Sequence, residues 1–291
     1  MACQICRSNI ISSKILINDY EYDHNIFAEY KKCKNCTLIY RNKLKKSELK
    51  KLYTRNYKPV AGGIFYDILK KINTFYEWHI IKKINKKRIN TYVTQLKFVD
   101  IGCGKGFLIE KISERENFNC VGIDINQNNI KKKKNLSFYK KSYKNLSLLK
   151  KLRPDYIILN NFIEHIESIE EIKKLFNSKN ASSATFIILT PDGSCNSMKI
   201  FGKYWSGYHS PRHANIFNKK SLSLFLKNNN FEFIVKNIFD PLATLSSVRN
   251  SINDFKHSFS FKKLYKVCFI ILLFPFDLFF KNRILVVCKK K

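Results

Sequence analysis

Phe98-Val99-Asp100-Ile101-Gly102-Cys103-Gly104-Lys105-Gly106, answered downstream by Gly122-Ile123-Asp124, is the stretch that decides the fold. Its first four residues read as a buried strand and its glycines as a tight turn, with a helix predicted to start at about Phe107. A second strand ends in Asp124, about eighteen residues beyond Gly106 and close to the ~20 of a nucleotide-binding βαβ unit. Glycine is required because a Cβ would block the backbone from a ligand, and because some turn positions need positive φ. A carboxylate at the tip of the second strand can accept both hydroxyls of a ribose.

Spacing narrows the ligand. Dinucleotide sites use G-x-G-x-x-G, with a helix N-terminus aimed at a pyrophosphate. Here the glycines fall as G-x-G-x-G and Asp100 precedes them. That carboxylate would repel a pyrophosphate and suits a cationic, amino-bearing ligand. S-adenosylmethionine (SAM), with its sulfonium and ammonium groups, is one. The run resembles the first SAM-binding motif of class I methyltransferases; the alternative is a glycine turn in another α/β protein.

At 291 residues and 45% hydrophobic content the chain can bury one large core, with room for a small module. The formal charge of +32 invites a nucleic-acid reading. Lys outnumbers Arg several-fold, however, and Arg is the better reader of phosphate. Lys43, Lys45, Lys46, Lys50, Lys51 and Lys131 to Lys134 therefore read as solvated faces, with a general attraction to anionic lipid or RNA left on charge alone. Met1-Ala2-Cys3-Gln4 is polar and is not a signal peptide. Nine cysteines in such a chain point to thiols in a reducing cytoplasm.

Residues 1–42 form a candidate module. Cys3-x-x-Cys6 and Cys33-x-x-Cys36 flank a strand-rich stretch from Ile15 to Tyr30. Four thiolates so spaced can surround one Zn²⁺ tetrahedrally, leaving no open position for chemistry, so the role is structural. The alternative is a set of unrelated thiols. Residues 43–95 read as a helical linker or lid: Phe65, Ile68, Leu69, Ile72, Phe75 and Tyr76 mark an apolar face, Tyr53 and Tyr57 precede it, and Gly62-Gly63 breaks the pattern. Residues 96–291 alternate strand and helix, the pattern of a parallel α/β sheet. The strands are expected at Phe98–Ile101, Cys120–Ile123, Ser137–Tyr139, Tyr156–Leu159, Thr185–Leu189, Phe231–Lys236 and Ile284–Cys288. Helices include Ile169–Phe176 and Ser221–Leu226, and an insertion covers about 239–282. Within it, Val267–Phe280 is apolar between Lys266 and Lys281, interrupted by Pro275 and Asp277. It reads as a packed helical lid or as a helix lying in a membrane surface, being shorter than the ~20 residues of a span.

Three further stretches resemble one family. Asp155 to Ile166, carrying Asn160-Asn161 and Glu164-His165, is similar to the fourth strand and following Glu-His of small-molecule methyltransferases. Leu189-Thr190-Pro191-Asp192 is similar to their fifth-strand ending. Gly202-x-x-Trp205, Pro211-Arg212-His213, Phe217 and Ser221-Leu222 resemble a downstream box of the same group. With the four-cysteine ribbon, the chain resembles zinc-ribbon class I SAM-dependent methyltransferases, related to ubiquinone-type O-methyltransferases and to sugar methyltransferases of cell-envelope pathways. The resemblance implies a Rossmann-like seven-stranded sheet. Two departures stand out: Lys140-Lys141-Ser142-Tyr143 replaces the acid usual near the adenine, and Asn180-Ala181-Ser182-Ser183 replaces Pro-Gly-Gly. The chain is also shorter than the ribbon-bearing sugar C-methyltransferases.

By the resemblance, Asp100, Gly102, Cys103, Gly104 and Gly106 line the methionine end of SAM. Asp124 holds the ribose, Ile125 packs on the adenine with Ser142 and Tyr143 nearby, and Asn160 and Asn161 lie toward the sulfonium. A hydroxyl acceptor needs orientation and a base. His165, with Glu164, and His213 are the candidates, because histidine titrates near cellular pH; each could equally brace a helix or a turn. Trp205 and Tyr208 wall the acceptor pocket or pack the core. Arg212 meets an anionic group of the acceptor or forms an internal ion pair. His209 has no assigned role, and Cys103 and Cys120 are packing thiols rather than nucleophiles. The expected activity is methylation of a small-molecule acceptor: a hydroxyl of a sugar, a lipid-linked or a quinone-like precursor. The alternatives are an RNA methyltransferase, against which Asn160-Asn161-Phe162 differs from the Asn-Pro-Pro-Tyr type, and a non-catalytic binding protein that keeps the fold.

Overall fold

The computed structural model describes residues 2–22, 25–45, 47–48, 52, 64–85, 95–126, 134–179, 181, 183–257, 260–277 and 280–291. Lys46, Lys50, Lys51, Tyr53, Tyr57, Gly62, Gly63, Lys131 to Lys133, Asn180 and Ser182 lie outside the described residues.

Strand β1 (Ile11–Asn18), β2 (Phe27–Cys33) and β3 (Ile39–Arg41) form an antiparallel sheet. Helix α1 (Ile64–Ile84) precedes the main sheet. Then come β4 (Leu96–Ile101), α2 (Phe107–Ile112), β5 (Phe118–Asp124), β6 (Leu136–Lys140) and α3 (Leu146–Leu152). After β7 (Tyr156–Asn160) follow α4 (Ile169–Phe176), β8 (Thr185–Pro191), α5 (Asn196–Phe201) and the two-residue β9 (Asn215–Ile216). The chain ends with α6 (Lys219–Asn228), β10 (Phe231–Ile238), α7 (Pro241–His257), α8 (Phe261–Asp277) and β11 (Arg283–Lys290).

The seven-stranded sheet runs β10-β11-β8-β7-β4-β5-β6. Strands β8, β7, β4, β5 and β6 are parallel, and β11 pairs antiparallel with both β8 and β10. Helices cover both faces, so the central strands are buried on both sides and read as continuous apolar runs: Tyr156–Leu159 and Phe186–Leu189 are all buried. Strand β4 pairs with β5 on one edge and β7 on the other, and the order of the fold reverses there. Open α/β sheets bind ligands at such a reversal, beyond the carboxyl ends of the strands.

The small sheet is continuous with the main domain. β3 pairs with β9, and Cys3, Cys33 and Cys36 share a core with Phe217 and Leu222. Asn218 caps α6 through Ser221 and donates from Nδ2 to the Thr37 carbonyl at 2.8 Å, while Gln4 accepts from the Ile169 N–H at the start of α4 at 2.9 Å. Arg41 pairs with Glu167.

Two expectations about helices change. On α1, Ile68, Ile72, Phe75 and Tyr76 are exposed, and the buried face carries Asn73, Thr74, Glu77, Trp78 and Ile81. Asn73, Thr74 and Glu77 are buried where α1 crosses the polar mouth of the sheet, while further along the helix Trp78 and Ile81 pack into the apolar core, Trp78 edge-on to Phe98 and Phe118. The apolar segment of the insertion lies in a helix that begins at Phe261, six residues before Val267. Among the described residues no helix is long and apolar enough to cross a membrane.

Candidate active site

A cleft of about 290 Å³ opens at the carboxyl ends of β4 and β7. Asp100, Gly102, Cys103 and Gly104 line one part of it; Asn160, Asn161, His165, Trp205, His209 and His213 line another. Helix α1 adds Tyr66, Lys70 and Thr74, α7 adds Leu242, Ala243 and Ser246, and the β1–β2 connection adds Glu21.

The glycine turn is dictated by local sterics. Gly102 has φ +73°, and a Cβ there would stand 2.2 Å from Phe162 Cδ2. Gly104 has φ +53° with nothing within 4 Å of its Cβ position: its Cβ face is open. Asp124 closes the turn, accepting the Gly104 N–H on Oδ2 at 3.0 Å and the Asn126 N–H on Oδ1 at 2.8 Å. Gly106 starts α2 at φ +81°, over the ring of Phe138. Asp100 is 2% exposed, and its Oδ1 has no hydrogen-bond partner among the described residues. Burial, then the charges of Asp124 and Glu77, push its carboxyl well above the usual carboxylate range. An orphaned buried carboxyl beside an open glycine turn is a cradle for a cationic group.

Asn160 and Asn161 are held by a charge network. Arg283 on β11 donates to Asn160 Oδ1 at 2.7 Å and Asn161 Oδ1 at 2.9 Å, and pairs with Glu77 of α1 and with Asp240 at 3.1 Å. Asn160 Nδ2 donates to the other oxygen of Glu77 at 3.3 Å. Asn161 sits at φ +50°. The network therefore ties α1 to the sheet across the mouth of the cleft.

The histidines come from two segments. His165 ends a 3-10 turn (Ile163–His165) after β7; His209 and His213 flank Pro211. Ring centroids are 4.6 Å apart for His165 and His213, 5.1 Å for His209 and His213, and 5.9 Å for His165 and His209. Burial holds the His165 pKa down to about 3, and burial with the neighbouring His165 and His209 holds His213 well below its usual value. Both rings are therefore neutral near pH 7. Nδ1 of His213 donates to the Gly207 carbonyl at 2.8 Å, which leaves Nε2 as an acceptor 4.0 Å from Glu164 Oε1. Glu164 is fully buried; Thr190 Oγ1 donates to its Oε2 at 3.0 Å, and burial raises its pKa to about 7. One donor atom from each of Glu164, His165 and His213 lies within 4.8 Å of the others, an arrangement able to pass a proton or to hold a cation.

His209, which the sequence left without a role, has the best-defined partner. Its Nδ1 stands 3.1 Å from Glu21 Oε1. Burial opposes the Glu21 charge, but His209, Arg249 and Arg212 outweigh it and hold the carboxylate pKa below its usual value. An ionised carboxylate can only accept, so Nδ1 of His209 donates to Glu21. The crowding of His209 and His213 around Ser210-Pro211-Arg212 was a visible signal; the long-range partner Glu21 was not.

Several expected site residues lie elsewhere. Tyr208 does not line the cleft: it is core, packed edge-on against Trp205 and beside Tyr30. Arg212 is buried in an ion pair with Asp19 at 2.8 Å, with the Tyr22 ring 4.2 Å from its guanidinium, so it anchors the β1–β2 connection instead of facing the cleft. Trp205 lines the cleft with most of its ring in the core. Ile125 and Ser142 are exposed and outside the cleft lining; buried Gly106 and half-buried Asp124 are outside it too, and Tyr143 donates to Glu171. Glu77, Asp240 and Arg283 carried no sequence signal, because an isolated Arg or Glu says nothing of a partner up to 206 positions away.

The four N-terminal thiols converge. Sγ atoms are 3.4 Å apart for Cys3 and Cys36 and 3.5 Å for Cys6 and Cys33, and all four lie within 4.8 Å of one another. Tetrahedral zinc with Zn–S bonds of ~2.3 Å separates its sulfurs by ~3.8 Å, so the donor set fits the ion.

A family model described as a methyltransferase domain matches residues 48–236. Carboxy-S-adenosyl-L-methionine synthase 1 of Yersinia pseudotuberculosis, in two strains, is 26% identical over 197 residues, covering 60% of this chain and 82% of that protein. A SAM-dependent methyltransferase from Archaeoglobus fulgidus superposes with a TM-score of 0.44 at 22% identity, over 73% of this chain and 94% of the other. The plantazolicin methyltransferase BamL superposes with a TM-score of 0.47 at 15% identity, over 76% of this chain and 86% of the other.

Proposed function

The chain belongs to the methyltransferase-domain family, and from that premise we propose that it transfers the methyl group of SAM to a hydroxyl of a small molecule. The observation that carries this reading is one cleft shared by the open glycine turn, the orphaned carboxyl of Asp100 and a histidine with a carboxylate partner. The name of the Yersinia relatives points to a carboxylated derivative of the same sulfonium compound.

SAM supplies a methyl carbon already activated by the positive sulfur. Asp100 would take its ammonium group, Gly102, Cys103 and Gly104 would lie along its methionine portion, and Asp124 at the tip of β5 would face its ribose. Asn160 and Asn161, fixed by Arg283, would set the floor near the sulfonium. The base is His209: its Nε2 would accept the acceptor's proton while Glu21 fixes the tautomer. His165 and His213 are held neutral, and with Glu164 they would orient the acceptor or relay the proton. Trp205 offers an apolar wall. The acceptor class is a sugar, a lipid-linked or a quinone-like hydroxyl compound, and Cys3, Cys6, Cys33 and Cys36 would hold one structural Zn²⁺.

Calorimetry with S-adenosylhomocysteine tests the first half of this reading. Binding by the wild-type chain, weakened about tenfold in Asp124→Ala and in Asp100→Asn, is the expected result, a hydrogen bond to a charged group being worth about 1.5–3 kcal/mol. No binding at all, or identical affinities in the three proteins, would remove the methyl-transfer assignment.

A further inference from the structure

Helix α8 is apolar on two faces, and folding needs only one of them. Val267 and Ile270 are buried, Ile270 in a cluster with Phe201 and Trp205. On that side Lys263 is tied to Asp254 at 2.9 Å. On the other side Phe261, Tyr265, Phe269 and Leu272 follow one another at steps of four, four and three residues, which aligns them along one face of a helix. They are 81, 74, 45 and 68% exposed, and Cys268 is exposed between them. A contiguous aromatic and aliphatic stripe of this length is rare on the surface of a monomer unless something binds it.

Charge selects the occupant. At +32, two copies of this chain repel each other, while an anionic surface attracts every copy. The charged residues of α8 are Lys262, Lys263, Lys266 and Asp277; Lys263 is held by Asp254, and Lys266 reaches over the Tyr204 ring, 5.3 Å from its centroid. The helix is too short to span a bilayer, so an apolar stripe on a strongly cationic chain suits a position in the headgroup plane. We propose that α8 is a membrane-docking helix, seating its Tyr265–Phe269–Leu272 face at the boundary between headgroups and acyl chains of an anionic bilayer. Helix α1 extends the argument: Ile68, Ile72 and Phe75 form a second exposed stripe, accompanied by exposed Lys71 and Lys83. Both helices pack on α7, whose Leu242, Ala243 and Ser246 line the cleft. The docked helix is thus one layer of structure away from the cleft, although docking does not depend on methyl transfer.

Flotation of the full-length protein with phosphatidylglycerol–phosphatidylcholine vesicles, against pure phosphatidylcholine, tests the proposal. Wild type is expected to float with the anionic vesicles and to leave them in high salt. The triple variant Tyr265→Ser, Phe269→Ser, Leu272→Ser is expected to bind at least about tenfold more weakly, because interfacial binding scales with the apolar area buried. Its binding of S-adenosylhomocysteine should stay unchanged and its melting temperature should change little, since none of the three lines the cleft and Tyr265 and Leu272 are mostly exposed. A polarity-sensitive probe on Cys268, with Cys268→Ser as the labelling control, gives an independent reading and should shift to the blue on vesicles. Equal flotation of wild type and variant would show attraction by charge alone and overturn the proposal. So would absence of flotation, an unshifted probe, or a wild-type dimer that the triple substitution converts to monomer.

Discussion

The glycine side and the histidine side of the cleft are built in opposite ways. Asp100 to Gly106 is one uninterrupted run between β4 and α2, and its shape follows from backbone sterics at Gly102 and Gly104. The histidine side draws Glu21 from the β1–β2 connection, His165 from the 3-10 turn after β7 and His209 and His213 from a turn before β9. A contiguous element survives changes elsewhere in the molecule. An assembled one is only as firm as the joints that bring its parts together, here the four-thiol knuckle, the Arg212–Asp19 pair and the Arg283 network.

Stripping the knuckle is the severest way to break the comparison. Structural zinc binds small finger peptides with ~10–16 kcal/mol, so a chelator should destabilise this chain by about 5 kcal/mol or more, read as zinc released and a lowered melting temperature. A melt indifferent to the chelator would reduce the cysteines to packing groups. Arg283→Leu comes next. It leaves Glu77 and Asp240 buried without their cation, at a cost of about 3–5 kcal/mol in urea denaturation, and it frees both asparagines. A variant as stable as wild type would show that the two sides are not joined there.

Gly102→Ala should cost about 2–3 kcal/mol, from a strained positive φ and the Phe162 collision, while Gly104→Ala meets no neighbour and should cost about 1 kcal/mol of backbone strain. Paired thermal melts check the order of the two, and the reverse order would misplace the turn. Asp100→Asn is smaller and carries a pH signature. The folded carboxyl is raised above its ordinary value of 3.8, so the ligand-free fold holds a proton that the unfolded chain has lost. Stability therefore falls as pH rises above about 4, at most ~1.4 kcal/mol per pH unit. Affinity for an ammonium-bearing ligand rises over the same range, because the ligand selects the ionised form. Denaturation and calorimetry across pH should show both trends in wild type; in Asp100→Asn the affinity trend should vanish and the stability slope should shrink to the part that the raised carboxyl of Glu164 contributes. The smallest change is expected for Glu21→Gln: little effect on stability, but a loss of the His209 tautomer preference visible by ¹⁵N NMR, whereas His165 and His213 keep theirs.

Legibility followed the same division. The central strands β7 and β8 were readable from their apolar runs, within a few residues, because a strand buried on both faces leaves no other pattern. The glycine turn and the paired cysteines were readable because spacing within a short segment sets geometry. Periodicity misled on α1, where Ile68, Ile72 and Phe75 mark the exposed face and Asn73, Thr74 and Glu77 the buried one. Hydrophobic spacing reports a core only where the surface being covered is apolar; the first half of α1 covers a polar cleft, and only Trp78 and Ile81 further along reach the core. Tyr208 and Arg212 sit in a stretch that looks like a site, and Trp205, Ser206, Gly207, His209 and His213 around them do line the cleft, but their own partners, Tyr30 and Asp19, lie almost two hundred positions away and pull them into the interior.

By itself the amino-acid order determined the parallel sheet, the turn at Gly102–Gly106 and the thiol spacing, since each rests on residues near one another along the chain. Only the tertiary structure decided which histidine receives a carboxylate partner, which arginine locks the asparagines and which face of α8 is left to solvent. Those depend on side chains that become neighbours only once the sheet has closed and water has been expelled from between its layers.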